Sequence, residues 1–297
     1  MYANPILKKL GFAETDRVVI IHADDVGMCH ATLPAFAELI DVGVVSCGSV
    51  MVPCPWFSQA AAYCRSHPTV DMGVHLTLTN EWHGYRWGPI FTCDPVSGLI
   101  DNEGYFHKSP VRVQKHGEPG AVQREIQAQI KRALAAGIDV THIDSHMFTI
   151  FHPRFASFYV QLALQHQIPA LLLRTDESGL RTLGFDAETA TFFAQQIEEL
   201  EAQGVLMLDN LYTMPLDQSD NRLEHAKQML DTLPPGITHL IIHPAQDTPE
   251  LRAIAPDWRA RVADYQTFTR KELRDYVKKA GIQIIGYSTL RTLMRAG

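Results

Sequence analysis

Cysteine is scarce in this 297-residue chain and irregularly placed. Cys29, Cys47, Cys54, Cys64 and Cys93 are odd in number and never spaced as Cys-x-x-Cys, which argues against a disulfide framework and an all-cysteine zinc site. Cys47 sits in an apolar run and reads as a small hydrophobe. Long apolar runs are also missing. No stretch approaches the roughly 20 residues of a membrane span, and Met1 to Leu10 lacks the apolar core and cleavage site of a secretion signal, so a cytoplasmic location is expected. Basic residues are outnumbered, 26 Lys and Arg against 33 Asp and Glu, for a net charge of -7. With no Lys/Arg cluster, a nucleic-acid partner or an anionic membrane surface is not expected. Linkers, low-complexity tracts and short repeats are absent too, so one domain over 1–297 is the expectation.

What is present is 46% apolar residues, enough for a large core. Apolar, β-branched runs alternate with segments of helical period. Strands are expected at Arg17–His22, Val45–Val52, Val70–His75, Asp139–His146, Ala170–Arg174, Val205–Asp209, Thr238–His243 and Gln283–Tyr287. Helices are expected at Ala31–Asp41, Phe57–Ser66, Ala121–Ala135, Arg154–Gln165, Ala187–Ala202, Asn221–Leu233 and Thr269–Lys279. Gly43, Gly137, Gly204 and Gly281 stand where helices would stop. This order predicts an α/β fold with parallel strands, a TIM-like (β/α) barrel, distorted or incomplete. About 79–118, after the third strand, an insertion rich in Gly, Pro and aromatic residues breaks the rhythm. It contains no convincing helix and suits a lid or a substrate wall.

Chemistry concentrates at strand ends. Asp24 and Asp25 close the first apolar run, and two adjacent carboxylates there are costly unless compensated. A metal ion would compensate them, and His75, Asp144, His146 and His243 close other strands, where a barrel assembles its active site. Adjacent aspartates point oppositely along a regular strand, so both enter the site only where the chain turns, at Val26-Gly27. His142, Asp144 and His146 form one row toward the barrel axis, and His22 and His142 line the interior.

Several segments carry a resemblance to a known family. His22-Ala23-Asp24-Asp25-Val26-Gly27, Gly73-Val74-His75-Leu76, Asp144-Ser145-His146 and His243-Pro244-Ala245 resemble, in order, the signature elements of the YdjC/ChbG-like carbohydrate deacetylases. Weaker matches occur at Gly98–Asp101 with Gly104–Phe106, at Leu173-Arg174 and at Gly281–Tyr287. Departures are Ala245 for the usual Gly, Met147 where relatives often carry Gln, and the Trp-rich sequence after Asn80. The resemblance implies a divalent metal held by Asp25, His75 and His146. Asp24 would be the general base, and His243 the general acid toward the departing amine. Three O/N ligands leave positions open for water and substrate, and leave magnesium, zinc, manganese and cobalt open as the ion.

The implied reaction is metal-dependent removal of N-acetyl groups from amino sugars or short chitin-type oligosaccharides such as diacetylchitobiose. Arg174 reads equally as a catalytic residue orienting Asp24 and as a salt-bridge partner. Asp144 reads as a substrate contact, a support for a metal ligand or a turn cap. Trp82 and Trp87 suit either sugar stacking or a small core within the insertion. Rival functions are another metal-dependent barrel hydrolase or isomerase acting on sugars, and a catalytically silent sugar-binding protein. Against an amidohydrolase, the first strand lacks a His-x-His pair; against a phosphoesterase, no phosphate cradle is visible. No heptad or exposed edge forces association, and a homodimer would suit a barrel of this kind.

Overall fold

The computed structural model describes residues 3–296. Its strands are β1 (Arg17–Val26), β2 (Cys47–Val50), β3 (Met72–Leu76), β4 (Val140–Ser145), β5 (Asn210–Thr213), β6 (Gly236–Ile242) and β7 (Gln283–Ile284). They pair in parallel in the order β4-β3-β2-β1-β6-β5, and β7 joins the start of β1 at Val18 and Val19. Backbone hydrogen bonds carry this sheet round to its own far edge. Leu171 N donates to Ile143 O at 2.9 Å, Leu208 N to Leu172 O at 2.8 Å, and Asp209 N to Ile237 O at 2.9 Å. The strands expected over Ala170–Arg174 and Val205–Asp209 supply this closure only as single bridges, Ile143 with Ala170 and Leu173 with Leu208. The regular strand of that region lies later, at β5. The eighth expected strand is likewise reduced to Gln283–Ile284, and Tyr287 already opens a helix. The result is an α/β barrel with one irregular wall.

The parity of β1 shows how two environments arise from one strand. Val19, Ile21 and Ala23 belong to the larger apolar cluster, with Phe36 and Leu39 of the helix Thr32–Val42. Val18 and Ile20 point the other way, into a second cluster with Cys47, Ile237 and Tyr287. Side chains alternate along a strand, so His22 and Asp24 continue that inner row toward the mouth. Ile6 and Leu7 of the helix Pro5–Lys9 and Leu290 of Tyr287–Ala296 join the inner cluster and cover the strands' starting end.

The insertion has more structure than its composition suggested. A helix runs from Pro110 to His116, a 3-10 turn from Pro95 to Ser97, and Ile100 bridges Phe106 antiparallel. Arg86 ties the segment together through Asp101 at 2.6 Å, Glu103 at 3.0 Å and the Phe106 carbonyl at 3.1 Å. Fully buried Glu125, on the helix Pro119–Ala135, accepts the N–H groups of Ile90 at 3.1 Å and Phe91 at 2.9 Å. The insertion is therefore pinned to the barrel. Among the described residues, no helix is long and apolar enough to cross a membrane.

Candidate active site

Asp24 and Asp25 reach the same cavity because β1 breaks its own rule. Ala23 pairs with Gly48 but Val26 pairs with Val50, so three residues of β1 oppose two of β2. Asp25 takes up the extra residue with φ at +62°. A β-branched residue would be strained there, whereas aspartate tolerates this left-handed region better than most. The turn expected at Val26-Gly27 thus begins one residue earlier, inside the strand.

Asp25 Oδ1 lies 3.4 Å from His75 Nε2 and 3.2 Å from His146 Nδ1, and those two nitrogens are 3.3 Å apart. Three donors on one ion at about 2.0–2.2 Å with tetrahedral angles are spaced by about 3.3–3.6 Å. Asp25 Oδ1 is buried, and no donor is aligned on it. An atom that burial denies water and the fold denies a hydrogen bond is one a cation would satisfy. The donor set therefore fits a divalent metal.

Each imidazole is held from behind. His75 Nδ1 meets Asp144 Oδ1 at 2.9 Å and Ser49 Oγ at 3.1 Å, and Ser49 also donates to Asp144 Oδ2 at 2.9 Å. His146, first residue of a short 3-10 turn after β4, meets Glu81 Oε2 through Nε2 at 3.0 Å. Such partners fix which ring nitrogen faces the site. Burial lowers the basicity of both rings, but the neighbouring carboxylates outweigh it. His75 ends well above its usual range, and His146 rises to about 9, chiefly through Glu81.

The second carboxylate oxygen of Asp25 accepts from Arg261 Nη1 at 2.7 Å, and Arg261 Nε donates to Asp257 at 2.9 Å. Burial alone would raise the Asp25 carboxyl; the Arg261 charge overcomes it and holds Asp25 well below the usual carboxylate range. Arg261 is 1% exposed, on the helix Trp258–Phe268, which the sequence reading did not anticipate. Its signal was an arginine three residues before Asp264, both in a segment otherwise apolar enough to pack. Asp264 Oδ2 accepts the His243 backbone N–H at 3.0 Å and, through Oδ1, pairs with Arg222 at 2.7 Å.

Asp24 Oδ1 meets His22 Nδ1 at 2.7 Å. Its Oδ2 lies 3.7 Å from His75 Nε2 and 3.9 Å from His243 Nε2. Burial raises its carboxyl, but His75 and His22 outweigh that and the net shift is downward. His243 is lowered, mainly by burial. Asp24, Asp25, His75, His146, His243 and Arg261 line a cavity of about 580 Å³, with Trp82, Glu81 and Met147 on its wall.

At three residues the sequence left alternatives open, and the contacts now distinguish them. Arg174 ion-pairs with Glu201 at 2.6 Å and Asp209 at 3.0 Å, the salt-bridge alternative, and Arg261 bonds the site carboxylate Asp25. Asp144 lies behind His75 rather than on the cavity, so it supports an imidazole instead of touching a substrate. Trp87 is 3% exposed, donates to Thr79 O at 2.9 Å and packs on Trp82, so it belongs to the insertion's core. Of the two tryptophans, Trp82 reaches the cavity.

Residues 18–279 match the family described as YdjC-like protein. The chain belongs to that family. The match takes in Asp24, Asp25, His75, His146 and His243. A carbohydrate deacetylase of Thermus thermophilus is 33% identical over 91% of this chain and 92% of the relative. One from Brevibacillus brevis is 27% identical over 92% and 99%. A solved structure from Enterococcus faecalis, provisionally described as a cellobiose-phosphate cleavage protein, superposes with a TM-score of 0.75 at 26% identity, covering 93% of this chain and 99% of that one.

Proposed function

We propose that the protein is a metal-dependent carbohydrate N-deacetylase acting on acetylated amino sugars or short chitin-type oligosaccharides, with 1–297 as one barrel domain. One observation carries the reading: Asp25 Oδ1, His75 Nε2 and His146 Nδ1 stand 3.2–3.4 Å from one another, and Asp25 Oδ1 has no hydrogen-bond donor. A divalent ion held by these three groups, magnesium or zinc foremost, supplies Lewis acidity toward an acyl carbonyl and toward water. The names of the curated relatives support the substrate class.

The chain's own groups do the rest. Asp24 keeps Oδ2 toward the cavity while His22 holds Oδ1, so it accepts a proton from attacking water. Its lowered pKa keeps it ionised at neutral pH. His243 Nε2 faces the same space from β6's end, 3.9 Å from Asp24 Oδ2; it takes up the proton that Asp24 has accepted from water and delivers it to the departing sugar nitrogen, giving amine and acetate. Trp82 offers an apolar ring edge beside the cavity, and a sugar's C–H face suits such a surface.

The test is acetate release from diacetylchitobiose before and after chelation, with metal restored. Asp24→Asn is expected to bind the ion as the wild type does and to lose turnover. Full activity in thoroughly chelated protein would rule the reading out.

A further inference from the structure

Beneath Asp24 a line of buried polar groups runs through the barrel to its opposite end. His22 Nδ1 meets Asp24 Oδ1 at 2.7 Å, and His22 Nε2 meets His142 Nε2 at 2.7 Å. His142 Nδ1 meets Thr141 Oγ1 at 2.9 Å, and Thr141 bonds Asp71 Oδ1. Asp71 Oδ2 accepts the Ser288 N–H at 2.7 Å. Asp71 immediately precedes β3, whereas Asp24 stands near the end of parallel β1, so the line spans the barrel lengthwise. Each of Asp24, His22, His142, Thr141 and Asp71 is less than a tenth exposed. The fold makes room for it: a Cβ on Gly73 would fall 2.5 Å from His142 Nε2, and Tyr287 stacks on the His142 ring at 4.0 Å.

The direction of the line follows from its far end, where the Thr141 hydroxyl donates to Asp71. Two imidazoles sharing one hydrogen bond need one donor and one acceptor. Burial and the neighbouring His22 hold His142 far below the usual histidine range, so its ring carries a single proton. Thr141 Oγ1 donates to Asp71 Oδ1, so its oxygen accepts at 2.9 Å from His142 Nδ1. With its one proton on Nδ1, the His142 ring accepts at Nε2 from His22 Nε2 at 2.7 Å. The same His22–His142 pair with Cys47 is also a candidate metal donor set. Its two Nε2 atoms, however, are 2.7 Å apart and bond each other, unlike the 3.2–3.4 Å spacing around Asp25.

We propose that Asp71, Thr141 and His142 are positioning residues for Asp24: a directed chain, His22 to His142 to Thr141 to Asp71, fixes the orientation of the His22 ring and so aims the carboxylate of the base. The kinetic side of this rests on the proposed role of Asp24; the tautomer side does not.

The experiment uses the full chain labelled with ¹⁵N-histidine, read by long-range ¹H–¹⁵N correlation alongside steady-state kinetics on diacetylchitobiose. In the wild type, His142 is expected as a single Nδ1–H tautomer. Thr141→Val keeps the volume but removes the hydroxyl, so it should shift or mix that tautomer. It should also lower kcat about 10-fold with KM changed less than about twofold, the low end of the range for supporting partners, because Thr141 acts through His142 and His22. Thr141→Ser should restore both. Asp71→Asn, whose amide oxygen can still accept from Thr141, should keep the wild-type tautomer and kcat. An unchanged His142 tautomer in Thr141→Val, or a scrambled one in Asp71→Asn, overturns the chain. A changed tautomer with unchanged kcat, in a protein that Asp24→Asn inactivates, overturns the positioning. Activity surviving in Asp24→Asn would instead overturn the assignment of the base, leaving the tautomer result to stand separately.

Discussion

Replacing Arg261 by Met is the most informative single change for the site's electrostatics. Methionine fills much of the arginine stem's volume, so the main loss is charge. In the metal-free protein the variant leaves Asp25 Oδ2 buried without its 2.7 Å partner and frees Asp257, whose side chain is 16% exposed. Breaking a buried pair by removing one partner costs about 3–5 kcal/mol. Protonated His146 partly replaces the lost charge at pH 7, because its pKa stands at about 9, so the lower figure is expected there. That imidazole's contribution is complete below the ordinary histidine value of about 6.5 and disappears as pH rises through about 9. The penalty in the variant should therefore grow toward the upper figure by pH 10. For 297 residues the unfolding entropy is about 0.6 kcal/mol/K, so 3–5 kcal/mol becomes a fall in Tm of about 5–8 °C. Adding a divalent ion should narrow the gap, since the cation supplies Asp25 with a counter-charge in place of the one removed. Circular-dichroism melts of chelated and metal-loaded protein at pH 7 and pH 10 measure all four values. A fall below about 1 °C without metal, or a gap that metal leaves unchanged, would refute the reasoning.

Other expected outcomes follow from the same contacts. Asp144→Asn weakens the 2.9 Å support behind His75 Nδ1 and should lower metal affinity about 10–100-fold, measured by competition with a fluorescent chelator. Glu125→Ala orphans the N–H groups of Ile90 and Phe91 and should destabilise the insertion by about 2–4 kcal/mol, seen as faster amide exchange confined to that segment.

Much of the fold was legible because β1, β3, β4 and β6 are buried along nearly their whole length, and β1 and β6 carry apolar runs at Val18–Ile21 and Leu240–Ile242. Helices Phe57–Ser66 and Ala187–Ala202 fall at their expected bounds. The helix Trp258–Phe268 was hidden for a physical reason. Its buried face carries Arg261 and Asp264, each made tolerable by a partner distant in sequence, Asp25 and Arg222, and paired charges inside break the apolar period. The expected strands around Arg174 and Asp209 were apolar enough but pair only at single bridges, and pairing extent is a tertiary property. Asp25, His75 and His146 were legible by position and sequence resemblance. Their supports were not: Ser49 and Glu81 have no local pattern, and only the folded barrel brings them to the imidazoles.

The left-handed backbone at Asp25 has a consequence for anyone moving this centre to another scaffold. Copying the side chains onto an ordinary barrel strand would send one of the two neighbouring acids outward into the surrounding helices. The transplant would have to carry the kink itself, because here the main chain, as much as any side chain, is what gives two consecutive residues a common destination.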